Sequence, residues 1–461
     1  MQDMFDDESL RHLPNALAVL ASGYGNLPPF EPLGHNEAQQ RAIGNILGDV
    51  AERMQNNYPY AHPFYAGQML KPPHPVARLA YSLAMYVNPN NHALDGGRES
   101  SAMEKQAVAS IAAMFGYDPD HFLGHLTGGG TLANLEALWI SGLLHPGKAI
   151  VASDQGHYTH SRLTEVLKIP FQAIASDSTG RMRLDALEAS LAAGNVGTVV
   201  VTLGTTSSGS VDPLPQILDL QRTYDFRIHI DSAYGGYFKL ATNLDQEATA
   251  SYSLMHHADS IVVDPHKHGL QPYGCGCVLF KDPAVAKYYH HDSPYTYFSS
   301  ADLHLGEISL ECSRAGASAV ALWATMQLLP LEAGKEFARH IEMSRQAAIR
   351  FASLLGADPR YVVPFAPELD IVLFAINAPS ASYASRLARE TFQTCAEADM
   401  HLAVAQLPRR FFEKSFAATN PDFVWDQDNV TCLRSCLLKP EHLEWIDRIF
   451  GRLSENTVVP V

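Results

Sequence analysis

Apolar and polar positions alternate in blocks along the middle of the chain. The short apolar runs "AIVAS" (149–153), "TVVVTLG" (198–204), "RIHIDSA" (227–233), "SIVVD" (260–264) and "GCVLF" (276–280) have the length and β-branched content of buried strands. Longer stretches with helical spacing lie between them, such as "TLANLEALWISGLL" and "LDALEASLAAG". This alternation, from about 100 to 325, predicts an α/β fold with a mainly parallel sheet covered by helices. Residues 1–55 read as a helical segment broken by "GYGNLPPFEPLGHN". Residues 56–325 would form a large domain and 326–461 a smaller α/β domain. The latter opens on a helix through "EFARHIEMSRQAAIRFASLLG" and continues with strands at "YVVP", "DIVLFAI" and "VTCLRSCLL". No internal repeat interrupts this order.

Composition narrows the class. With 461 residues, 46% apolar and 18% charged, the chain has a compact globular composition. A formal charge of −16 argues against nucleic acid or an anionic membrane as the main partner. No stretch reaches the roughly 18 apolar residues of a membrane span. The first residues, "MQDMFDDESL", are acidic where a signal peptide is basic. Six cysteines form no dense framework, and Cys275-Gly276-Cys277 lacks a second pair for zinc. The expectation is a cytoplasmic enzyme with reduced thiols and no metal.

In open α/β sheets ligands lie beyond the carboxyl ends of the strands. Residues with chemical potential stand there. Gly128, Gly129, Gly130 and Thr131 form a glycine turn entering a helix, whose free N–H groups and dipole suit a phosphate. An ordinary glycine-rich helix entry reads the same way. It is neither a Walker loop nor a G-x-G-x-x-G fingerprint. His157 and His160 follow a strand; their spacing suggests metal, but among 21 histidines packing is the commoner role. Asp231 ends a strand beside Ala233, Gly235 and Gly236, which leave room for a flat ligand. Lys267 sits between Pro265 and the apolar "LQPYGCGCVLF", a poor place for a solvated ammonium and a good one for a nucleophile. A phosphate cradle, a carboxylate, a pocket lysine and a planar slot are together what pyridoxal 5'-phosphate uses.

The motifs agree. "TLGTTSSGSVDPLPQILDLQRTYDFRIHIDSAYGGYF" followed by "DPHKHG" resembles the group II pyridoxal-phosphate-dependent amino acid decarboxylases, closest in motif to the tyrosine and aspartate types. "HPFYAGQM", "NPNNHALDGGRESSAMEKQAVASIAAMFGY" and "ECSRAGASAVALWA" extend the resemblance over nearly the whole chain. It implies the type I fold of these enzymes, a homodimer with shared active sites, and an N-terminal segment packed on the partner. By this resemblance Lys267 carries the cofactor and His266 contacts its phosphate together with Gly129, Gly130 and Thr131. Asp231 faces the pyridine nitrogen, Ala233 and His157 cover the two ring faces, and Thr206 and Ser313 lie close by. Tyr295 or Tyr297, in "HHDSPYTYFSSADLHLG", would return the proton to the product. His62, Phe64, Tyr65, His92 and Arg314 would meet the substrate. Two positions depart from the common pattern: His268 stands where many members carry a bulky apolar residue, and Cys312 where glycine is common.

The implied reaction is decarboxylation of an L-amino acid, an aromatic one such as tyrosine favoured and aspartate or glutamate the alternatives. "CSRAGA" also resembles carbon–carbon lyases on the same scaffold, and some relatives produce aldehydes. A non-catalytic phosphate- or nucleotide-binding protein is the reading from another class; Lys267 and Asp231 argue against it.

Overall fold

The computed structural model describes residues 8–29, 34, 36–290 and 303–460. The large sheet holds β1 (Leu123–Thr127), β2 (Ala149–Ser153), β3 (Phe171–Ile174), β4 (Val196–Thr202), β5 (Arg227–Asp231), β6 (Ser260–Val263) and β7 (Gly276–Phe280). Their order is β1-β7-β6-β5-β4-β2-β3. Strands β6, β5, β4, β2 and β3 run parallel, while β7 is antiparallel to both neighbours. Helices cover both faces, so β2, β4, β6 and β7 are buried along their whole length. This is why they read as unbroken apolar runs.

Differences from the pattern have local causes. β4 stops at Thr202, two residues short of the expected end, because Leu203 bridges to Val211 and Gly204 turns with φ +98°. β1 and β3 escape the apolar pattern. "LGHLT" carries glycine, histidine and threonine inside a buried strand, and "FQAI" is a four-residue edge strand with two exposed positions.

The smaller sheet has order β10-β11-β9-β8 and is antiparallel throughout. It comprises β8 (Tyr361–Val362), β9 (Ile371–Ile376), β10 (Ala403–Pro408) and β11 (Asn429–Cys436). β10 is an edge strand whose "AVAQLP" gives a weak pattern.

The two sheets are tied together by Glu368, Leu369 and Asp370, just before β9. Leu369 is buried in the core of the large sheet. Glu368 accepts hydrogen bonds from Arg181 Nε (2.8 Å) and the Val211 N–H (3.0 Å). Asp370 accepts from the Tyr234 hydroxyl (2.5 Å) and lies 2.8 Å from His268 Nε2. The other ring nitrogen of His268 faces the Tyr234 carbonyl at 3.0 Å. A small-sheet carboxylate thus joins the turn after β5 to the turn after β6. His268 is fully buried, and its ring also packs edge-on against Tyr234 and Phe238.

Removing Asp370 leaves the buried Tyr234 hydroxyl and His268 Nε2 without their shared partner. Asp370→Ala is therefore expected to destabilise the cofactor-free protein by about 3 kcal/mol. Urea unfolding followed by fluorescence measures this, and a change below about 1 kcal/mol would contradict the tie.

Candidate active site

The carboxyl ends of β4, β5 and β6 and the start of the Gly130–Leu144 helix surround a cavity of about 550 Å³. Gly129, Gly130, Thr131, His157, Thr206, Asp231, Ala233, His266 and Lys267 all line it. Residues from positions 129 to 267 meet there because parallel strands end on the same side of the sheet.

The glycine turn explains itself geometrically. Gly129 has φ +142°, a conformation that other residues rarely adopt. A Cβ on Gly130 would lie 2.6 Å from Asp264 Oδ2. No side chain caps this helix, so its first N–H groups are left for a ligand.

Asp231 is held from behind. Its Oδ2 lies 2.8 Å from His160 Nε2, and its Oδ1 accepts the Ala233 N–H at 3.1 Å. Burial by itself would raise its pKa. The hydrogen bond from His160, the Ala233 N–H and the nearby Lys267 oppose burial and hold the carboxyl well below the usual range. Asp231 is therefore an anion throughout the neutral range.

Lys267 follows β6 in a tight turn, its N–H donating to the Asp264 carbonyl at 2.9 Å. Its Nζ lies 3.1 Å from Asp264 Oδ2. The other Asp264 oxygen is buried without a hydrogen-bond partner among the described residues. His266 is oriented by its Nδ1, 2.7 Å from the Cys275 carbonyl, which turns Nε2 toward Asp264 at 3.5 Å. Burial lowers the pKa of His157, only partly offset by Asp231. Its ring is neutral near pH 7, a state suited to lying against a cationic ring.

Other expected site residues stand elsewhere. Arg314 does not line the cavity: its guanidinium is buried on Glu104 and the Leu126 carbonyl. A cation with no solvent takes the nearest carboxylate, and Glu104 supplies it. Ser313 accepts a hydrogen bond from Asn90 Nδ2 at 3.3 Å. His62 and Phe64 pack edge-on against Trp445, and Tyr65 takes Lys439 Nζ on its carbonyl. His92 lies beside Gly306, with its Nε2 4.0 Å from Cys312 Sγ. Tyr295 and Tyr297 lie outside the described residues.

Sequence reasoning missed three side chains. Asp264 was hidden in "DPHKHG" beside a more conspicuous lysine. His160 was read as half of a histidine pair, with nothing to show that it would reach Asp231 across the sheet. Arg434, on β11, donates to the carbonyl of cavity-lining Thr206 at 2.9 Å, and only the meeting of the two sheets brings it there. No cluster of potential metal ligands occurs among the described residues.

A cavity-lining lysine, an ionised carboxylate and an uncapped helix start around one cavity suit a phosphorylated aromatic aldehyde cofactor. The sequence model of the "Pyridoxal-dependent decarboxylase conserved domain" matches residues 142–377, just over half of the chain, and the protein belongs to this family. Pyridoxal phosphate is the family's cofactor, and the residues around the cavity suit it.

The aspartate 1-decarboxylase of Aliivibrio fischeri is 30% identical over 290 residues, covering 56% of this chain and 51% of that protein. The chain thus spans about half the length of this relative. The L-tyrosine decarboxylase of Enterococcus faecium is 26% identical over 412 residues, with 67% of each chain covered. Among solved structures, mouse CSAD in apo form superposes with a TM-score of 0.77 at 17% identity, covering 98% of this chain and 99% of that one. Oryza sativa TDC with PLP and tryptamine gives 0.76 at 17% identity, with the same coverage. These structures share the fold.

Proposed function

We propose that the protein is a carboxy-lyase that converts an L-amino acid to its amine and CO2. Tyrosine is the favoured substrate, and aspartate or glutamate are the alternatives. The observation that carries this reading is the convergence of Lys267, Asp231 and the uncapped Gly130–Leu144 helix on one cavity.

Pyridoxal phosphate, when bound, supplies a conjugated cation that accepts the electron pair left behind as the carboxylate departs. Lys267 would hold the cofactor covalently, and its Nζ would give way to the substrate's amine. Asp264, 3.1 Å away, is placed to hold the released ammonium. Asp231, held ionised, would keep the pyridine nitrogen protonated by presenting a fixed negative charge. His157 and Ala233 would cover the two ring faces, while Gly129, Gly130, Thr131 and His266 would receive the phosphate. Thr206, which lines the cavity, would lie near the ring. Arg434, on the Thr206 carbonyl, braces this wall of the cavity from the small sheet. Tyr295 or Tyr297 returns a proton to the substrate carbon.

The working unit in this proposal is a homodimer with shared active sites. Every residue of the Glu37–Met54 helix is exposed, and Ile43, Ile46, Leu47, Val50 and Met54 form an apolar stripe along it. Such a stripe calls for a covering surface, and a second copy supplies it. His62, Phe64, Tyr65 and His92 would then complete the substrate pocket, with Arg314 bracing it from Glu104. All six cysteines are free thiols, which suits a cytoplasmic location. No described helix is long and apolar enough to cross a membrane.

A panel of the standard amino acids, scored for amine and CO2, tests the proposal. Equal amounts of both, greatest with tyrosine, are expected. Stoichiometric aldehyde or peroxide would assign the site to an aldehyde synthase instead. Cleavage of a carbon–carbon bond without CO2 would assign it to a lyase of another kind. Binding of phosphate compounds without turnover of any amino acid would leave a non-catalytic protein.

A further inference from the structure

His160 is 1% exposed and lies in the Thr159–Leu167 helix, outside the residues lining the cavity. Its Nε2 is 2.8 Å from Asp231 Oδ2. Its Nδ1 is buried and has no hydrogen-bond partner among the described residues. These two facts settle the ring's state. A proton on Nδ1 would be a buried donor with nothing to accept it, whereas a bare Nδ1 lone pair costs much less. A carboxylate facing Nε2 requires a proton there. His160 is thus the neutral Nε2–H tautomer and donates to Asp231.

Asp231 has few other ways to stay in place. Its Oδ1 accepts the Ala233 N–H, and in the described structure its Oδ2 has His160. Without that second donor the buried carboxylate could turn about its χ2 torsion and would lose much of what keeps it ionised. We infer that His160 is a positioning residue that fixes Asp231 toward the cleft and thereby sets the affinity of the site for the cofactor's pyridine nitrogen. The inference rests on the reading that Asp231 faces that nitrogen. It also implies that the histidine pair in "SDQGHYTHSR" divides its labour, His157 toward the ring face and His160 toward the ring nitrogen by way of Asp231.

Two measurements test it. The first is 15N NMR of the histidines in the cofactor-free protein, with the His160 signal assigned by its absence in His160→Gln. The neutral Nε2–H pattern is expected; an Nδ1–H tautomer overturns the inference. The second is equilibrium binding of pyridoxal phosphate to the wild-type protein, His160→Leu, His160→Gln, Asp231→Asn and the double variant His160→Leu/Asp231→Asn, each checked for folding by thermal melting.

Loss of a hydrogen bond to a charged group predicts that His160→Leu weakens binding by about ten- to a hundredfold. His160→Gln, which retains an N–H donor, should lose less. In the Asp231→Asn background His160→Leu should add almost nothing. An equal loss in both backgrounds would make His160 merely structural, and wild-type affinity in a folded His160→Leu would overturn the inference outright. If Asp231→Asn itself binds like the wild type, the reading of the cleft fails first and takes this inference with it. Should His160→Leu fail to fold, the comparison of His160→Gln with and without Asp231→Asn decides the question.

Discussion

Lys267→Ala is expected to abolish covalent cofactor attachment. Borohydride reduction of the wild-type holoenzyme should add the cofactor's mass to the peptide that spans residues 259–280, and in the variant that addition should vanish. Turnover should fall by orders of magnitude, because the amine that holds the cofactor and gives way to the substrate is gone, with a further loss from cofactor dissociation. The structural basis is the position of Lys267 at the exit of β6, lining the cavity with its Nζ on Asp264. Alanine removes the amine and leaves the Asp264 charge without it. Mass addition at another lysine in the variant would show that the site had been misassigned.

Asp231→Ala is expected to lower kcat by about 10²–10³-fold, the cost of removing one preorganised charge from a dry site. Steady-state kinetics at saturating cofactor measure this, and a loss within about tenfold would deny Asp231 an electrostatic role. The sign of its pH dependence follows from its depressed pKa. The unfolded-state value is about 3.9, so the stability that Asp231 contributes is fully present above that pH. It is lost only as pH falls through the depressed folded-state value. The acid limb of any activity profile near neutrality must then come from another group. Burial keeps His157 and His266 below the ordinary histidine range, which moves their titration to the acid side of neutrality in the cofactor-free protein.

The sheet was legible wherever burial on both faces made a strand uniformly apolar, as in β2, β4, β6 and β7. It was not legible at β3 or β10, where an edge position lets polar residues in and dilutes the pattern. β7 was recognised as a strand, but its direction is not a local property. Antiparallel pairing with both β6 and β1 depends on how the chain returns after the 264–275 loop.

The site divides in the same way. Lys267 and Asp231 could be picked out because they stand at the ends of apolar strands, and the glycine turn because it leads into a helix; the order of strands brings such positions together. Backbone limits made Gly129 readable as well. The amino-acid order by itself therefore determined an α/β sheet, the end of that sheet at which chemistry would occur, and the cofactor class.

What only the tertiary structure decided was which polar groups share a hydrogen bond across long stretches of chain. His160 reaches Asp231 over 71 positions, His268 reaches Asp370 over 102, and Arg434 reaches Thr206 over 228. Arg314, placed by its motif beside the substrate, is instead drawn to Glu104, 210 positions away. Buried polar atoms must find partners, and the partner is chosen by proximity in the packed fold rather than along the chain. A histidine next to the lysine could be seen in "DPHKHG"; that it ties the two sheets together could not.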